Sequence, residues 1–391
     1  MPGLELIFAD AECASALDDS KLLAAMARFE AALARASAAA GLFPEMHARV
    51  IEAECAAAEF DLVALARAAR ASGTLAIPFV KSITERVATR SEEAARHVHS
   101  GATSQDVIDS GVAICLKEAG NRVVALARRL GDATARIAER HAKTSMAART
   151  LLQPALPMPF GLKAAGWLAM LARAMPHLRS ALAEACVLQL GGPAGTLSAF
   201  GQKAGAVQSA MAADLGLGLA PLPWHGARDG FARLGAELAI LAGIAAKIGR
   251  DVSLLMQAEV AEAQEPSPGG SSSMAHKRNP ARSMLALEAG LRAPGLAATL
   301  LAQLSPEHER GLGQWQSQWL VLRELASTSA SALAAIAEVL EGLRVNPEAM
   351  QANLEGSSIP AEERARGWGA AERMIARALA DWRATSPGIS P

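Results

Sequence analysis

Residues 270–280 read GSSSMAHKRNP. A Gly/Ser tract of this kind ordinarily behaves as a flexible linker. Here it runs straight into Lys277, Arg278 and Asn279 and closes on Pro280, a dense patch of cations and donors that a linker does not need. Two further irregular stretches carry groups of similar chemistry. In VHSGATSQDVIDSG, residues 98–111, Thr103, Ser104 and Asp106 stand where a long apolar periodicity begins. Such a cluster caps the free N–H groups of a first helical turn; alternatively, those N–H groups and two hydroxyls grip a carboxylate. In ARTLLQPALPMPFG, residues 148–161, Pro154, Pro157 and Pro159 stiffen an extended run that fixes Arg149 and Gln153 beside it.

The elements that must position these stretches are legible as apolar periodicities. Leu116, Val123, Leu130 and Ile137 repeat every seven residues, with no proline between Asp106 and His141. From Phe231 to Glu265, Leu234, Leu238, Leu241, Ala245, Ile248, Val252 and Leu255 alternate steps of four and three. Leu322, Ala326, Ser329, Leu333, Ile336, Leu340 and Leu343 do the same. Each run predicts a rod of roughly 40–50 Å at 1.5 Å per residue, packed nearly parallel to its neighbours. Rods this long, with alanine and glycine on several faces, are expected to associate with other copies of the chain. Earlier in the chain a helix is expected from Ser20 to Gly41 and a second across 45–72, ending at Gly73, with a mixed segment containing Pro78 beyond. We divide the chain into an N-terminal helical domain (1–97), a central long-helix domain carrying the three loops (98–345) and a shortened C-terminal helical segment (346–391). The last offers one clear helix, AAERMIARALADW, before a Pro/Gly tail.

Composition agrees with an all-α fold. Of the 391 residues, 51% are hydrophobic, many of them alanine, and only 4% are aromatic, which favours helices over strands. A net charge of −1 leaves no electrostatic footprint for nucleic acid. Cys13, Cys55, Cys115 and Cys186 form no CxxC pair and are read as small core residues; Trp167 and Trp319 are read as core too. The acidic N-terminus, with Glu5, Asp10 and Glu12, does not resemble a signal peptide. The apolar run at 187–201 is broken by Gly191, Gly192, Pro193 and Gly195, so no membrane span is expected, and the cytoplasm is the expected location. With no metal-ligand spacing, phosphate loop or dinucleotide fingerprint, no metal or other cofactor is expected.

The order Gly270, Ser271, Ser272, any residue, Met274, then Lys277, any residue, Asn279, Pro280 resembles the signature of the fumarase/aspartase superfamily, G-S-S-x-M-P-x-K-x-N-P. Ala275 replaces the usual proline. The resemblance implies a homotetramer built on long helices, with sites shared between subunits. It also implies that the third loop closes on the substrate and that Ser271 exchanges a proton with carbon, with Met274 and Pro280 anchoring the loop's far end. In the second loop the superfamily generally carries R-T-H-x-Q-P, whereas this chain has Leu151 where the histidine would be. Leucine cannot protonate a leaving group. A carboxylate nucleophile, ionised at neutral pH, needs no such proton, and its internal addition to an alkene makes a lactone. The chain accordingly resembles the group of bacterial 3-carboxy-cis,cis-muconate cycloisomerases, through VH-x-GATSQDVID, the leucine, WHGARDGFARLGAELA (224–239) and ERGLGQWQSQW (309–319).

That resemblance implies Ser271, Lys277 and Asn279 as catalytic groups. The small anionic substrate, with carboxylate or sulfonate as its third anion, would be held by Thr103, Ser104, Arg149, Gln153, Ser272, Met274, Arg228 and Arg282. His99 and His225 are expected as hydrogen-bonding residues there; His276 is given no role. The competing possibilities are an adenylosuccinate-lyase-type C–N lyase, which should possess the missing histidine, and a non-catalytic crystallin-like protein, which would not need Ser271, Lys277 and Asn279 together.

Overall fold

The heptad positions turn inward. In a computed structural model that describes residues 3–385, Leu116, Val123, Leu130 and Ile137 are all buried, as are the seven seam residues of each later run. One seam position is polar, and it is satisfied: the Ser329 hydroxyl donates to the Leu238 carbonyl at 3.0 Å. The Pro/Gly tail, residues 386–391, lies outside the described residues.

In chain order the main helices are α1 (Asp19–Ala39), α2 (Glu45–Ala56), α3 (Leu62–Ser72), α4 (Ala76–Ala88), α5 (Ser104–Arg140), α6 (Phe160–Ala185), α7 (Ala204–Leu215), α8 (Asp229–Leu255), α9 (Ala281–Leu301), α10 (Gln318–Glu341), α11 (Pro347–Glu355) and α12 (Ala371–Ala384). Helices α5, α6, α8, α9 and α10 pack side by side as a bundle, while α1 lies across α5 and α12 docks on α6. One continuous core runs from Cys13 to Trp382. The fold is all-α, with three small two-stranded ladders at its edges.

Two sequence expectations need correction, and the segment around Pro78 is resolved. The stretch 45–72 is two helices, because Asp61 accepts the Val63 and Ala64 N–H groups at 3.0 Å each and so starts α3 afresh. Pro78 does not interrupt its segment, since it lies in the first turn of α4, where its missing N–H would have no partner. Trp167 is buried as expected, but Trp319 is only half-buried and donates its indole N–H to Asp19 at 2.9 Å.

Helix α9 is the unusual member of the bundle. By length and composition both α9 and residues 315–341 are apolar enough to cross a bilayer, but 67% of the latter's most apolar window is buried inside the chain, against 28% for α9. Leu291 on α9 is 83% exposed. An apolar helix left this bare is an exposed patch of the kind that interaction surfaces carry.

The four cysteines are free thiols. Burial pushes Cys13, Cys55 and Cys115 up to about 12 and Cys186 to about 11, which excludes thiolate chemistry at neutral pH.

Candidate active site

The first loop is shaped from beneath by one buried carboxylate. Thr103 is the N-cap of α5, and Asp106, at the third helical position, completes a capping box by accepting the Thr103 N–H at 3.0 Å. Asp106 also accepts from the Gly191 N–H (3.0 Å), the Gly192 N–H (2.9 Å), the Gln189 side-chain amide (3.1 Å) and His225 Nε2 (2.7 Å). These bonds tie the loop to segment 189–192 and to residue 225. Gly101 completes the turn at φ +79°, where an added Cβ would meet the Phe200 ring at 2.6 Å.

The capping and ligand-binding readings of this loop prove compatible. Thr103 Oγ1 accepts from Arg310 Nη1 at 3.0 Å, and Arg310 Nη2 reaches the Pro193 carbonyl at 3.3 Å. Arg310 therefore adds a cation beside a helix N-terminus and two hydroxyls, an arrangement suited to a carboxylate. Arg310 lies within the 309–319 segment, where the sequence alone does not single it out. Its only signal was a basic residue in an irregular stretch.

His99 and Ser104 border a cleft of about 350 Å³. The His99 backbone is left-handed, at φ +57°, and both its N–H (3.1 Å) and its ring Nδ1 (2.6 Å) meet the buried Glu30 carboxylate. Burial disfavours the imidazolium, but the Glu30 charge and hydrogen bond outweigh it and hold the His99 pKa above its ordinary value. This pair therefore contributes stability that is fully present below pH 6.5 and is lost as pH rises through the raised folded value. We expect the urea midpoint to fall across that upper window, and His99→Gln to remove this component of the pH dependence. A parallel slope in the variant would refute the assignment.

The second stretch is a hairpin rather than the single extended run expected, with β1 (Ser145–Thr150) antiparallel to β2 (Gln153–Pro159). Its two-residue turn is Leu151-Leu152, at φ +50° and +65°, a conformation that bulky residues rarely adopt. The side chains point outward, Leu151 at 97% exposure and Leu152 at 74%. Strained, exposed leucines at a hairpin tip are costly in water. Gln153 is exposed directly after them. At the hairpin's root, Arg149 makes a bidentate pair with Glu262, at 2.9 and 2.6 Å. Nearby Lys163, which sequence reasoning passed over, has its amine pKa lowered by burial, with Asp251 opposing.

The third loop is pinched at its root. Gly269 and Asn279 exchange backbone hydrogen bonds at 2.8 Å each, and the Asn279 side-chain amide donates to the Gly270 carbonyl at 2.8 Å. At the head of the loop, Ser271 Oγ accepts the Met274 N–H at 3.1 Å and the Ser273 N–H at 3.4 Å. Two donors on that oxygen favour its deprotonated form. Lys277 and Ser272 are exposed. Met274, expected to anchor the loop, is 43% exposed, and within the loop its N–H bonds Ser271 while its carbonyl accepts the Lys277 N–H at 3.1 Å.

Several expected substrate cations are already paired. Arg228 is 2% exposed, and its guanidinium binds both oxygens of Asp109, at 2.6 and 2.9 Å, and the Gln318 side-chain carbonyl. It and His225, which is 5% exposed and bound to Asp106, support the first loop from below with their polar groups bonded inside the chain. Arg149 is taken by Glu262, and Arg282 by Glu338 at 2.7 Å. An ion pair with good geometry leaves little capacity for a second anion.

The loops also fall at opposite ends of the bundle. The first sits at the start of α5, a 37-residue helix, and the hairpin follows its far end, about 55 Å away at 1.5 Å per residue. The Arg149–Glu262 pair ties the hairpin to the segment that leads into the third loop. One chain thus brings the second and third loops to one end and leaves the first at the other. A separate cavity of about 620 Å³, between α1 and α3 and bordered by Leu22, Leu62, Phe231 and Trp319, contains none of the expected site residues.

No group of three or more His, Cys, Asp or Glu side chains able to hold a metal occurs among the described residues. The chain, a long-helix bundle whose loops carry hydroxyls, a lysine and a serine among backbone donors, belongs to the lyase family, whose pattern matches residues 9–295. Among its relatives, the 3-carboxy-cis,cis-muconate cycloisomerase of Bradyrhizobium diazoefficiens is 48% identical over 359 residues, covering 91% of this chain and 80% of that one. The enzyme of the same name from Pseudomonas aeruginosa is 45% identical over 350 residues, covering 89% and 76%. The crystal structure of the 3-carboxy-cis,cis-muconate lactonizing enzyme from Pseudomonas putida superposes with a TM-score of 0.90 at 34% identity, covering 98% of this chain and 99% of that one.

Proposed function

We propose that this chain is a cycloisomerase that closes 3-carboxy-cis,cis-muconate, or a muconate with another 3-anion such as sulfonate, to its lactone in aromatic-compound degradation. The observation that carries the reading is the hairpin tip. It presents Leu151, which cannot transfer a proton, while the serine loop beside it retains its donors. In the reaction, one carboxylate oxygen attacks an alkene carbon conjugated to a second carboxylate. Charge flows into that second carboxylate, where Lys277 and loop N–H groups stabilise it. Ser271 gives its proton to the adjacent carbon, the Ser273 and Met274 N–H groups hold the resulting alkoxide, and solvent restores the proton. Thr103, Ser104 and Gln153 orient the substrate's carboxylates, and Asn279 keeps the loop in shape.

We further propose a homotetramer working in the cytoplasm. The bare α9 face and the exposed leucine tip support association, and the separation of the first loop from the other two supports sites built from more than one subunit. The test is ultraviolet absorbance: a muconate loses its conjugated diene on lactonisation, and an unchanged spectrum with purified protein would sink the proposal. A further expectation concerns Arg310. Arg310→Gln removes the cation at Thr103 and should raise KM about tenfold, the order of one charge-assisted hydrogen bond. An unchanged KM would take Arg310 out of the site.

A further inference from the structure

A second cleft, of about 430 Å³, lies between the third loop and the short ladder that pairs Ala263–Gln264 with Arg344–Val345. We propose that it is a separate binding site for a small anion of two or more charges, and that the anion ties the third loop to the ladder. Two guanidinium groups, Arg278 and Arg344, border one cleft. Neither is matched by a carboxylate among the described residues: Arg278 donates to the Ala275 carbonyl at 3.2 Å, and the Arg344 side chain has no hydrogen-bond or ion-pair partner there. Arg149, Arg228 and Arg282 each have a carboxylate. The acids preceding the cleft are already committed, Glu262 to Arg149 and Asn353 and Glu265 to the Ser283 hydroxyl and N–H; Glu348 in the first turn of α11 is the exposed carboxylate nearby. Two unmatched cations facing one space repel each other, and an anion between them reverses the sign of that interaction.

The remaining walls suit the same ligand. In the antiparallel register Gln264 stands directly opposite Arg344, so their side chains share one face about 5 Å apart at Cβ. Asn346 caps α11 and spends its side-chain oxygen on the Ala349 N–H at 3.1 Å, which leaves its amide N–H groups as donors. The exposed Glu348 in the first turn of the nine-residue α11 offsets the positive helix end, so the two arginines carry the field. Two guanidiniums and two amides offer a fan of donors for a ligand with several acceptor oxygens, a description shared by inorganic phosphate and by polycarboxylates. Arg278 stands between Lys277 and Asn279, so an occupied cleft would restrain the third loop. None of this depends on the lactonising reaction.

Isothermal titration of the full-length protein with inorganic phosphate, and separately with citrate, at constant ionic strength tests the site. One saturable event per chain is expected for at least one of the two, and which of them binds tells a tetrahedral dianion from a polycarboxylate. Arg344→Gln should weaken that event at least tenfold without moving the melting temperature of the anion-free protein, and Arg278→Gln should do the same. Saturable binding that survives Arg344→Gln lies elsewhere and overturns the proposal, as does the absence of saturable binding by both anions.

Discussion

Ser271→Ala is expected to lower kcat by about 10³-fold, the range of a lost general acid or base, while helix content and substrate affinity stay near wild type. The structure makes this a clean test. The Ser271 hydroxyl accepts only the Ser273 and Met274 N–H groups, and the loop's root is held by Gly269, Gly270 and Asn279 instead. Removing one oxygen therefore takes away the proton carrier and leaves the loop's closure intact. Because the proton moves in the transition state and not on binding, kcat should fall and KM should not. A variant with near-normal kcat would assign the proton to another group and remove the central element of the mechanism.

Activity is expected to return when two inactive variants exchange subunits. A Thr103→Val/Ser104→Ala chain lacks the hydroxyls proposed to bind carboxylate in the first loop, and a Ser271→Ala chain lacks the proposed proton carrier of the third. The two loops stand at opposite ends of the bundle, because Gln318 at the start of α10 contacts Arg228 beneath the first loop while Glu338 near its end pairs with Arg282 beside the third. A site that uses both must take them from different chains. After random exchange about a quarter of such sites hold two intact loops, so roughly a quarter of wild-type activity should appear. No recovery after verified exchange would mean that each site works within one chain, and the functional need for assembly would go with it.

The residues proposed to carry the chemistry were legible because they cluster in irregular stretches between strongly periodic ones. Ser271, Lys277, Thr103 and Gln153 remain exposed or half-buried on loops at the ends of long helices. The charged residues were less legible. Arg149, Arg228 and Arg282 look in sequence like free cations near a polyanion site. Their partners Glu262, Asp109 and Glu338 lie far away along the chain, so nothing local announces the pairing. Arg310 shows the converse, since only its contact with Thr103 distinguishes it from other surface arginines.

By itself, the sequence determined the long helices and their inward faces, since a seven-residue apolar repeat can be buried along its whole length only by parallel packing. It also determined that the second loop has no proton carrier at residue 151. Tertiary structure alone decided that Leu151 and Leu152 form a strained hairpin tip, that Asp106 organises the first loop through five donors, and which arginines stay unmatched. The physical reason is range. Helical periodicity is written in neighbours three and four residues apart, whereas ion pairs, clefts and the distance between loops depend on segments that meet only once the helices have packed.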